Sequence, residues 1–437
     1  MKLSRSLGLL QATALNMSNM VGIGPFITIP LIISAMGGPQ CLLGWVVGAT
    51  LSLCDGLVWS ELAAAMPESG GTFHYLREIF RGTRLGGVLP FLFIWQFIFS
   101  GPLEIASGYI GFAQYLHYFW NGPVRLAACG VGILVIALLY HGTQVVGKMT
   151  VVLWAGMLVT VATIIGSGLL HFDAKLAFDF PPGAFHLSRE FLAGLGGAAL
   201  ISMYDFLGYY GICYVGAEVR RPESVIPRSI LYSLIIVGIM YVTLTVSILG
   251  VVPWREAMKS EFIAARFMEI LYGHQAGGLV TVLVLWSALA SVFALLLGYS
   301  RVPYAAAMEG FFFKPFAKLH STGRFPHISL LVIGALSAAC ALLNMVWVLS
   351  ALLTARILAQ FIIQIGALHY MRTHRSDIKR PFRAWLYPVP AVIALAGWIF
   401  IYVSSGWMFA LSGLCVLATG LAAYAVWKRG ATERRAL

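Results

Sequence analysis

The chain has 437 residues, of which 59% are hydrophobic and 11% are charged, and its formal net charge is +12. A soluble domain usually carries about 25% charged residues, and the apolar residues here form long runs. The composition therefore indicates a polytopic membrane protein and argues against a soluble enzyme, a disordered chain or a disulfide-stapled secreted domain.

Twelve apolar runs are long enough to be transmembrane helices, because a span needs roughly 20 mostly apolar residues. The predicted spans are residues 8–36, 40–66, 86–119, 123–140, 146–170, 190–218, 227–251, 276–306, 327–345, 347–370, 385–403 and 406–427. The sequence thus predicts an all-α integral membrane protein with one transmembrane domain over residues 1–437, embedded in the lipid bilayer of a cell membrane.

The placement of basic residues predicts the orientation. With the N-terminus inside, 22 of the 29 Lys and Arg residues fall in cytoplasmic segments and six in outside segments, and Arg356 lies inside span 10. Lys and Arg are enriched on the cytoplasmic side of membrane proteins. Both termini are therefore predicted to be cytoplasmic, and the positive charge is a topology signal rather than a sign of nucleic-acid binding.

Span 1 is predicted to be a broken helix. Gly22, Gly24 and Pro25 stand together in its middle, and Pro25 both lacks an N–H group and disfavours helix at Gly24. Because lipid does not tolerate unpaired backbone groups, a break must line a cavity or be buried in protein. A simple glycine-proline kink is the alternative.

Span 6 contains a second, weaker candidate break, around Gly208 and Gly211. Interrupted helices five spans apart are what an inverted five-helix repeat would give, and in such transporters they mark a midplane binding site. Free N–H groups and the positive dipole end of a half-helix attract an anion, while exposed carbonyls accept from an ammonium group. The pair of breaks favours a zwitterionic substrate.

Two other segments carry charges near the ends of spans. Residues 254–273, between spans 7 and 8, are amphipathic with balanced charge, which is typical of a short helix on the outer face or of a solvated loop. Glu61 and Glu218 lie near the cytoplasmic ends of spans 2 and 6. We interpret them as inner-gate or folding contacts.

Three charges remain inside the membrane, where an ionisable group costs several kcal/mol and is a functional hypothesis by default. Glu104 is about halfway along span 3, and Arg356 lies roughly 14 Å deep in span 10 at about 1.5 Å per residue. They either pair, as a functional or a purely structural pair, or one of them binds substrate. Asp205, beside the span-6 break, is a candidate to receive an ammonium group, carry a proton or cap the half-helix.

These residues resemble the amino acid–polyamine–organocation (APC) transporter superfamily, which has a LeuT-type fold. The span-1 break looks like that family's glycine-rich motif, with Ile23 and Pro25 replacing its usual small polar and aliphatic residues. Further matching segments are Pro67-Glu68-Ser69-Gly70-Gly71, Ala217-Glu218-Val219, Ile226-Pro227-Arg228-Ser229-Ile230 and Phe316-Ala317-Lys318-Leu319-His320. Together they cover nearly the whole chain in the expected order.

The resemblance implies a five-plus-five inverted repeat, residues 8–170 and 190–370, followed by two extra helices in residues 385–427. It also implies roles for residues at the two breaks. Backbone N–H groups would bind a substrate carboxylate at Gly22, Ile23 and Gly24. Backbone would meet the substrate amine at Leu207 and Gly208, and a gating aromatic would cover the substrate at Tyr204.

The coupling ion is open between Na⁺, H⁺ and plain exchange. Ser287 and Ser291 are spaced i, i+4 and share a helix face, which suits a sodium site opposite span-1 carbonyls, although such serines also bond backbone or ease packing. Some proton-coupled relatives place a lysine inside span 5, but here Lys148 lies at the cytoplasmic start of that span. Proton coupling through Glu104 or Asp205 is the other candidate.

The function predicted is secondary active transport of an amino acid by alternating access, either ion-coupled or exchanging. A polyamine or other organic-cation transporter of the same fold is the alternative. No enzyme is expected, since the sequence shows no clustered catalytic or metal-binding constellation and no Walker motif. No cofactor beyond Na⁺ or H⁺, no metal beyond a candidate sodium site and no obligate protein partner is expected.

Overall fold

The computed structural model describes residues 5, 7–140, 143–323 and 325–436, with side chains for all of these except 143–145, 147, 346 and 429–436. Lys2 and Arg324, which the topology argument counts, lie outside the described residues. Helices dominate the described ranges, and the only pairings of β type there are two isolated bridges, Leu7 with Val219 and Ser69 with Val215. The expected all-α class is confirmed for that part of the chain.

The first part of the chain forms eight helices of very different length. They are α1 (Leu9–Met20), α2 (Gly24–Met36), α3 (Leu42–Ala65), α4 (Thr72–Ile79), α5 (Leu85–Leu116), α6 (Val124–Leu139), α7 (Thr143–Leu170) and α8 (Ala174–Ala177). The short helix α4 lies between the long helices α3 and α5, and α8 lies in the segment after α7.

The second part continues in the same way. Its helices are α9 (Arg189–Phe206), α10 (Gly211–Tyr214), α11 (Pro222–Leu249), α12 (Trp254–Ala257), α13 (Ile263–Tyr272), α14 (His274–Tyr299), α15 (Arg301–Met308), α16 (His327–Cys340), α17 (Met345–Arg356), α18 (Ile363–His374), α19 (Val389–Ser404) and α20 (Trp407–Ala436). A π-helical segment, Ile357–Ile362, joins α17 to α18.

Both predicted breaks are present. The axes of α1 and α2 differ by 47° across residues 21–23, and Pro25 stands in the first turn of α2, where a missing N–H costs no helical hydrogen bond. Helix α9 ends at Phe206 and α10 begins at Gly211, with Gly208 at a φ of 109° that favours glycine. The chain therefore leaves the helical path at both places, and the first of them lies in a helix pair that is apolar enough to cross a membrane.

Within the described ranges, seven helices are long and apolar enough to cross a membrane, and the bent pair α1–α2 makes eight. Three shorter apolar helices, α6, α16 and α19, coincide with predicted spans 4, 9 and 11. Even the weakest predicted division is seen, because α19 ends at Ser404 and α20 starts at Trp407. These helices make the chain a multi-pass membrane protein.

The segment 254–273 is helical rather than a solvated loop. Helices α12 and α13 occupy it, and Ile263, Ala264 and Phe267 of α13 are fully buried. On its exposed side the Tyr118 hydroxyl donates to Glu269 Oε1 at 2.6 Å, which lowers the pKa of Glu269. The segment is thus packed onto the helix bundle by its apolar face.

At the opposite end, buried acids join helix termini. Glu61 of α3 pairs with Arg372 of α18, with Arg372 Nε 2.9 Å from Glu61 Oε1, and it also accepts from the Ala384 N–H at 2.7 Å. Glu218 pairs with Arg301 at 3.4 Å. These pairs hold α3, α18, α15 and the end of span 6 together, and their interpretation as inner-gate or folding contacts stays a prediction.

Helix α3 packs closely on α9 because small residues face each other. The Ser202 hydroxyl donates to Gly44 O at 2.9 Å, and a Cβ at Gly48 would collide with Ser202. Backbones approach this closely in membrane proteins when the contacting residues are small. The contact fixes α9, and with it the break that follows, against the rest of the bundle.

We expect Gly48→Leu to force α3 away from α9 and to lower the free energy of unfolding by about 1–3 kcal/mol, as overpacking does. The matched control is Gly166→Leu, since a Cβ at Gly166 meets no atom within 4 Å. Thermal melting of the two variants in detergent is the measurement. Equal melting temperatures for the two would contradict the packing argument.

Candidate functional site

A small enclosed cavity lies between the two breaks. Its volume is about 20 Å³, which is room for a water molecule but not for an amino acid. The cavity is lined by Asn19, Met20, Gly22, Ile23, Gly24, Glu104, Ser107, Gly108, Tyr204, Asp205, Leu207, Ser291 and Leu295. The protein is therefore in a closed state around this point.

Most of the residues predicted from the sequence meet at this cavity. Those that line it are Gly22, Ile23, Gly24, Glu104, Tyr204, Asp205, Leu207 and Ser291. Gly208 packs on Asn19 behind the wall, Arg356 lies behind Glu104, and Ser287 contacts α7 instead. The structure thus assembles eight of the eleven candidates around one point, although it does not test their roles.

Sequence reasoning missed five lining residues. Ser107 and Gly108 lie three and four positions after Glu104, and Leu295 lies four after Ser291. Residues at these spacings share one helix face, so helical periodicity applied to Glu104 and Ser291 would have found them. Asn19 and Met20 directly precede the break and carried no comparable signal.

The start of α2 presents unpaired donors to the cavity. Among the described residues, the N–H groups of Gly22, Ile23 and Gly24 have no hydrogen-bond acceptor, and the N-cap Ile23 provides no side-chain cap. A helix N-terminus with free N–H groups attracts an anion, because both the donors and the helix dipole favour negative charge. This end of α2 has the chemistry of a carboxylate site.

The two breaks are tied to each other by polar side chains. The Tyr241 hydroxyl of α11 is 2.7 Å from Met20 O and 3.0 Å from Asp205 O, so it bridges the last carbonyls of α1 and α9. Asn16 of α1 accepts from the Ile212 N–H at 2.9 Å and caps α10. These bonds satisfy part of the backbone that the breaks expose.

Tyr204 closes one side of the cavity. Its hydroxyl is 2.8 Å from Ser107 Oγ on α5, so the aromatic ring of α9 is held against the neighbouring helix. Ile23 of the span-1 break packs on Gly111 of the same helix, where a Cβ would collide with it. Both contacts would have to loosen before a substrate could pass.

Glu104 and Arg356 form an ion pair. Arg356 is fully buried, and it also donates to Tyr210 OH at 2.9 Å, to Tyr299 OH at 3.1 Å and to Ser100 Oγ at 3.1 Å. Tyr299 donates to Glu104 in turn. The pair leaves the cavity wall without net charge at Glu104, and with its hydrogen bonds it links α5, α14 and α17 to Tyr210 in the span-6 break.

Asp205 is buried without such a partner. Its side chain is 2% exposed, Oδ2 is hydrogen-bonded to the Thr28 hydroxyl, and Oδ1 has no hydrogen-bond partner. No Lys, Arg or His among the described residues pairs with it. Oδ1 lies directly against Gly24, where a Cβ would collide with it.

The two serines proposed for a sodium site contact different helices. Ser287 Oγ donates to Thr160 Oγ1 of α7 at 3.0 Å, whereas Ser291 Oγ is 3.5 Å from Asn19 O at the span-1 break. Only Ser291 therefore faces the break, and the sodium site stays a prediction. In the part of the chain that the structure describes, no group of three His, Cys, Asp or Glu residues is placed to hold a metal ion.

Comparison with known proteins decides the family. The family model described as "Amino acid permease" matches residues 7–426. The chain belongs to the amino acid permease family. This confirms the resemblance to the APC superfamily drawn from the sequence motifs.

Several curated relatives of this permease align over most of its length. The branched-chain amino acid permease BcaP of Bacillus subtilis is 23% identical, over 98% of this chain and 94% of the relative. The serine/threonine exchanger SteT of the same organism is 26% identical, over 92% and 91%. The human Asc-type amino acid transporter 1 is 28% identical, over 92% and 78%.

We expect Glu104→Gln in this permease to lower the free energy of unfolding by about 3–5 kcal/mol, because Arg356 would keep a buried and uncompensated charge. The double variant Glu104→Gln/Arg356→Gln should recover most of that loss. Thermal melting of the wild type, both single variants and the double variant forms a double-mutant cycle. Additive effects in this cycle would show that the two side chains do not interact.

Proposed function

We propose that this permease is a secondary active transporter that moves a zwitterionic amino acid with a neutral side chain across a cell membrane. The observation that carries the proposal is the convergence of both helix breaks on one closed cavity, with the unpaired N–H groups of Gly22, Ile23 and Gly24 in its wall. Free donors of this kind suit the carboxylate of an amino acid.

The amine would be received at the other break. Helix α9 ends at Phe206, and Leu207 lies in the cavity wall. The carbonyls of Met203, Tyr204 and Asp205 already accept hydrogen bonds, so the carbonyls of Phe206 and Leu207 are the ones proposed to receive the amine. The Glu104 carboxylate lies in the same wall. Carbonyl and carboxylate oxygens on one side and N–H groups on the other match the two ends of a zwitterion.

Charge balance supports a neutral side chain. Arg356 neutralises Glu104, so no net charge from this pair is available to a cationic or anionic side chain. The names of the relatives specify branched-chain amino acids and serine or threonine, while a mouse relative is a cationic amino acid transporter. The polyamine alternative lacks this support, because a polyamine has no carboxylate for the start of α2.

The proposal includes the topology predicted from the sequence. The chain would cross the membrane twelve times with both termini in the cytoplasm, as two inverted five-helix repeats, 8–170 and 190–370, and two added helices in 385–427. Each predicted span lies on a helix or on a pair of helices, and the breaks occur in spans 1 and 6. That placement supports a repeat of five spans.

Alternating access follows from the closed cavity. The Glu61–Arg372 and Glu218–Arg301 pairs hold one end of the bundle shut, and Tyr204 with Ser107 covers the centre. A cavity of about 20 Å³ admits substrate only after one of these groups separates. Opening at one end while the other stays shut would give access to each side in turn, with Na⁺, H⁺ or a second amino acid as the coupling partner.

The purified protein in proteoliposomes should take up a radiolabelled neutral amino acid, and in detergent its melting temperature should rise with the same compound. Ligand binding to the folded state stabilises it by mass action. Screening neutral, cationic and anionic amino acids together with polyamines identifies the substrate class. Absence of both flux and stabilisation with every amino acid would overturn the proposed function.

Gly24→Ala should reduce uptake at least tenfold, because its methyl group would collide with Asp205 at the start of α2. Gly366→Ala is the matched control, since a Cβ at Gly366 meets no atom within 4 Å. Initial rates of uptake, normalised to the amount of folded protein, are the measurement. Equal uptake rates for the two variants would contradict a role for the start of α2 in substrate binding.

A further inference from the structure

The carboxyl group of Asp205 lies beside the place that the proposed function gives to the substrate carboxylate. Oδ1 lies against Gly24, the first residue of the 13-residue helix α2, and it has no hydrogen-bond partner. Asp205 is 2% exposed and lines the cavity together with Gly22 and Ile23. A substrate carboxylate at the same N–H groups would therefore lie beside this side chain.

Hydrogen-bond counting indicates that the carboxyl group is protonated in the closed state. The Thr28 hydroxyl is 3.0 Å from Gly24 O and also contacts Asp205 Oδ2. A hydroxyl has one proton to donate and two lone pairs to accept with. When Thr28 donates to Gly24 O, it can still accept a proton from Asp205, and this arrangement requires a protonated carboxyl group.

The charges around Asp205 do not compensate an ionised form. Helices α1 and α2 carry no charged residue, and across the cavity Glu104 is already paired with Arg356. Tyr204 and Tyr241 are the titratable neighbours from α9 and α11, and both are bonded to other groups. On α3, which packs against α9, Asp55 accepts from Tyr209 and Glu61 pairs with Arg372.

We propose that Asp205 is the proton carrier of this permease and that its protonation is the condition for substrate binding. Two adjacent carboxylates in a buried site cannot both be ionised. An ionised Asp205 would accept hydrogen bonds from the N–H groups at the start of α2 and would repel the substrate carboxylate. A neutral Asp205 would leave these N–H groups to the substrate. The inference rests on the proposed function and names its coupling ion.

The transfer step is a simple proton exchange with water. With the cavity open to the side of lower pH, the Asp205 carboxylate takes one proton from water, and the substrate carboxylate binds at the start of α2. After the cavity opens to the other side, the substrate leaves and Asp205 returns the proton to water there. One proton therefore crosses with each amino acid, and no sodium ion is required.

The first test compares the wild type with Asp205→Asn. In the wild type, the apparent Kd of the amino acid should rise about tenfold per pH unit above the range in which free Asp205 ionises, as linkage of one proton requires. In Asp205→Asn it should stay constant across pH, because the amide cannot ionise. Asp55→Asn is the matched control and should keep the slope, since Asp55 is a buried carboxyl group that does not line the cavity.

The second test measures proton movement directly, first in the wild type and then in Asp205→Asn. Proteoliposomes that contain a pH-sensitive dye should acidify by one proton for each amino acid taken up, in potassium buffer without sodium. Asp205→Asn should still exchange labelled for unlabelled amino acid while moving no proton. The wild-type measurement identifies the coupling ion even if Asp205→Asn does not fold.

Three results would overturn the inference while leaving the proposed function intact. They are an unchanged pH slope in Asp205→Asn, loss of its binding at every pH, which would make Asp205 an ammonium ligand, and sodium-dependent uptake without proton movement in the wild type. A wild type that binds and moves no amino acid at all would instead overturn the proposed function itself.

Discussion

A helix that stops in the middle of a membrane exposes backbone N–H and C=O groups where lipid offers no hydrogen bond, and each unpaired group costs several kcal/mol. The protein has two such interruptions, at residues 21–23 and 207–210, and much of its interior is arranged around them. Tyr241 serves the carbonyls of both breaks, and Asn16 caps the helix that resumes at Gly211. The N–H groups at the start of α2 are left without acceptors, and this supports the proposed binding of a substrate carboxylate there.

The same interior holds charge in two different ways. Glu104 and Arg356 neutralise each other within a network of tyrosine and serine hydroxyls, so their position is determined by many contacts at once. The Asp205 side chain contacts one hydroxyl group, that of Thr28, and its Oδ1 atom has no hydrogen-bond partner. A buried pair resists a change of protonation because losing one charge strands the other. Asp205 has no charged partner, so a change in its protonation leaves no other charge unpaired. For this reason Asp205, and not Glu104, is the proton carrier that we propose.

The contacts around the cavity suggest which parts of the protein would move when the cavity opens. The acids at the ends of α3 and span 6 join helices through side chains, whereas the centre is covered by a tyrosine hydrogen bond and by close packing of Ile23 on Gly111. Side-chain contacts of this kind can be exchanged without unfolding a helix. The breaks give the half-helices freedom to tilt, so that the cavity would open by rearrangement of α1, α2, α9 and α10 against a bundle fixed by contacts such as that of α3 with Ser202.

The sequence by itself determined the helical class, the multi-pass membrane character and the positions of both helix breaks. Apolar length, glycine and proline act locally, and the cost of unpaired backbone in lipid leaves few alternatives. It also singled out Glu104, Arg356 and Asp205, because a charge inside a span is conspicuous. Which charges meet was decided only by the tertiary structure: Arg356 reaches Glu104 from 252 positions away in the chain, whereas Asp205 reaches only Thr28. Likewise, Ser287 and Ser291 share a helix face, yet they contact α7 and α1 separately. Periodicity places residues on one helix, but the direction in which the neighbouring helices cross it depends on packing between distant segments.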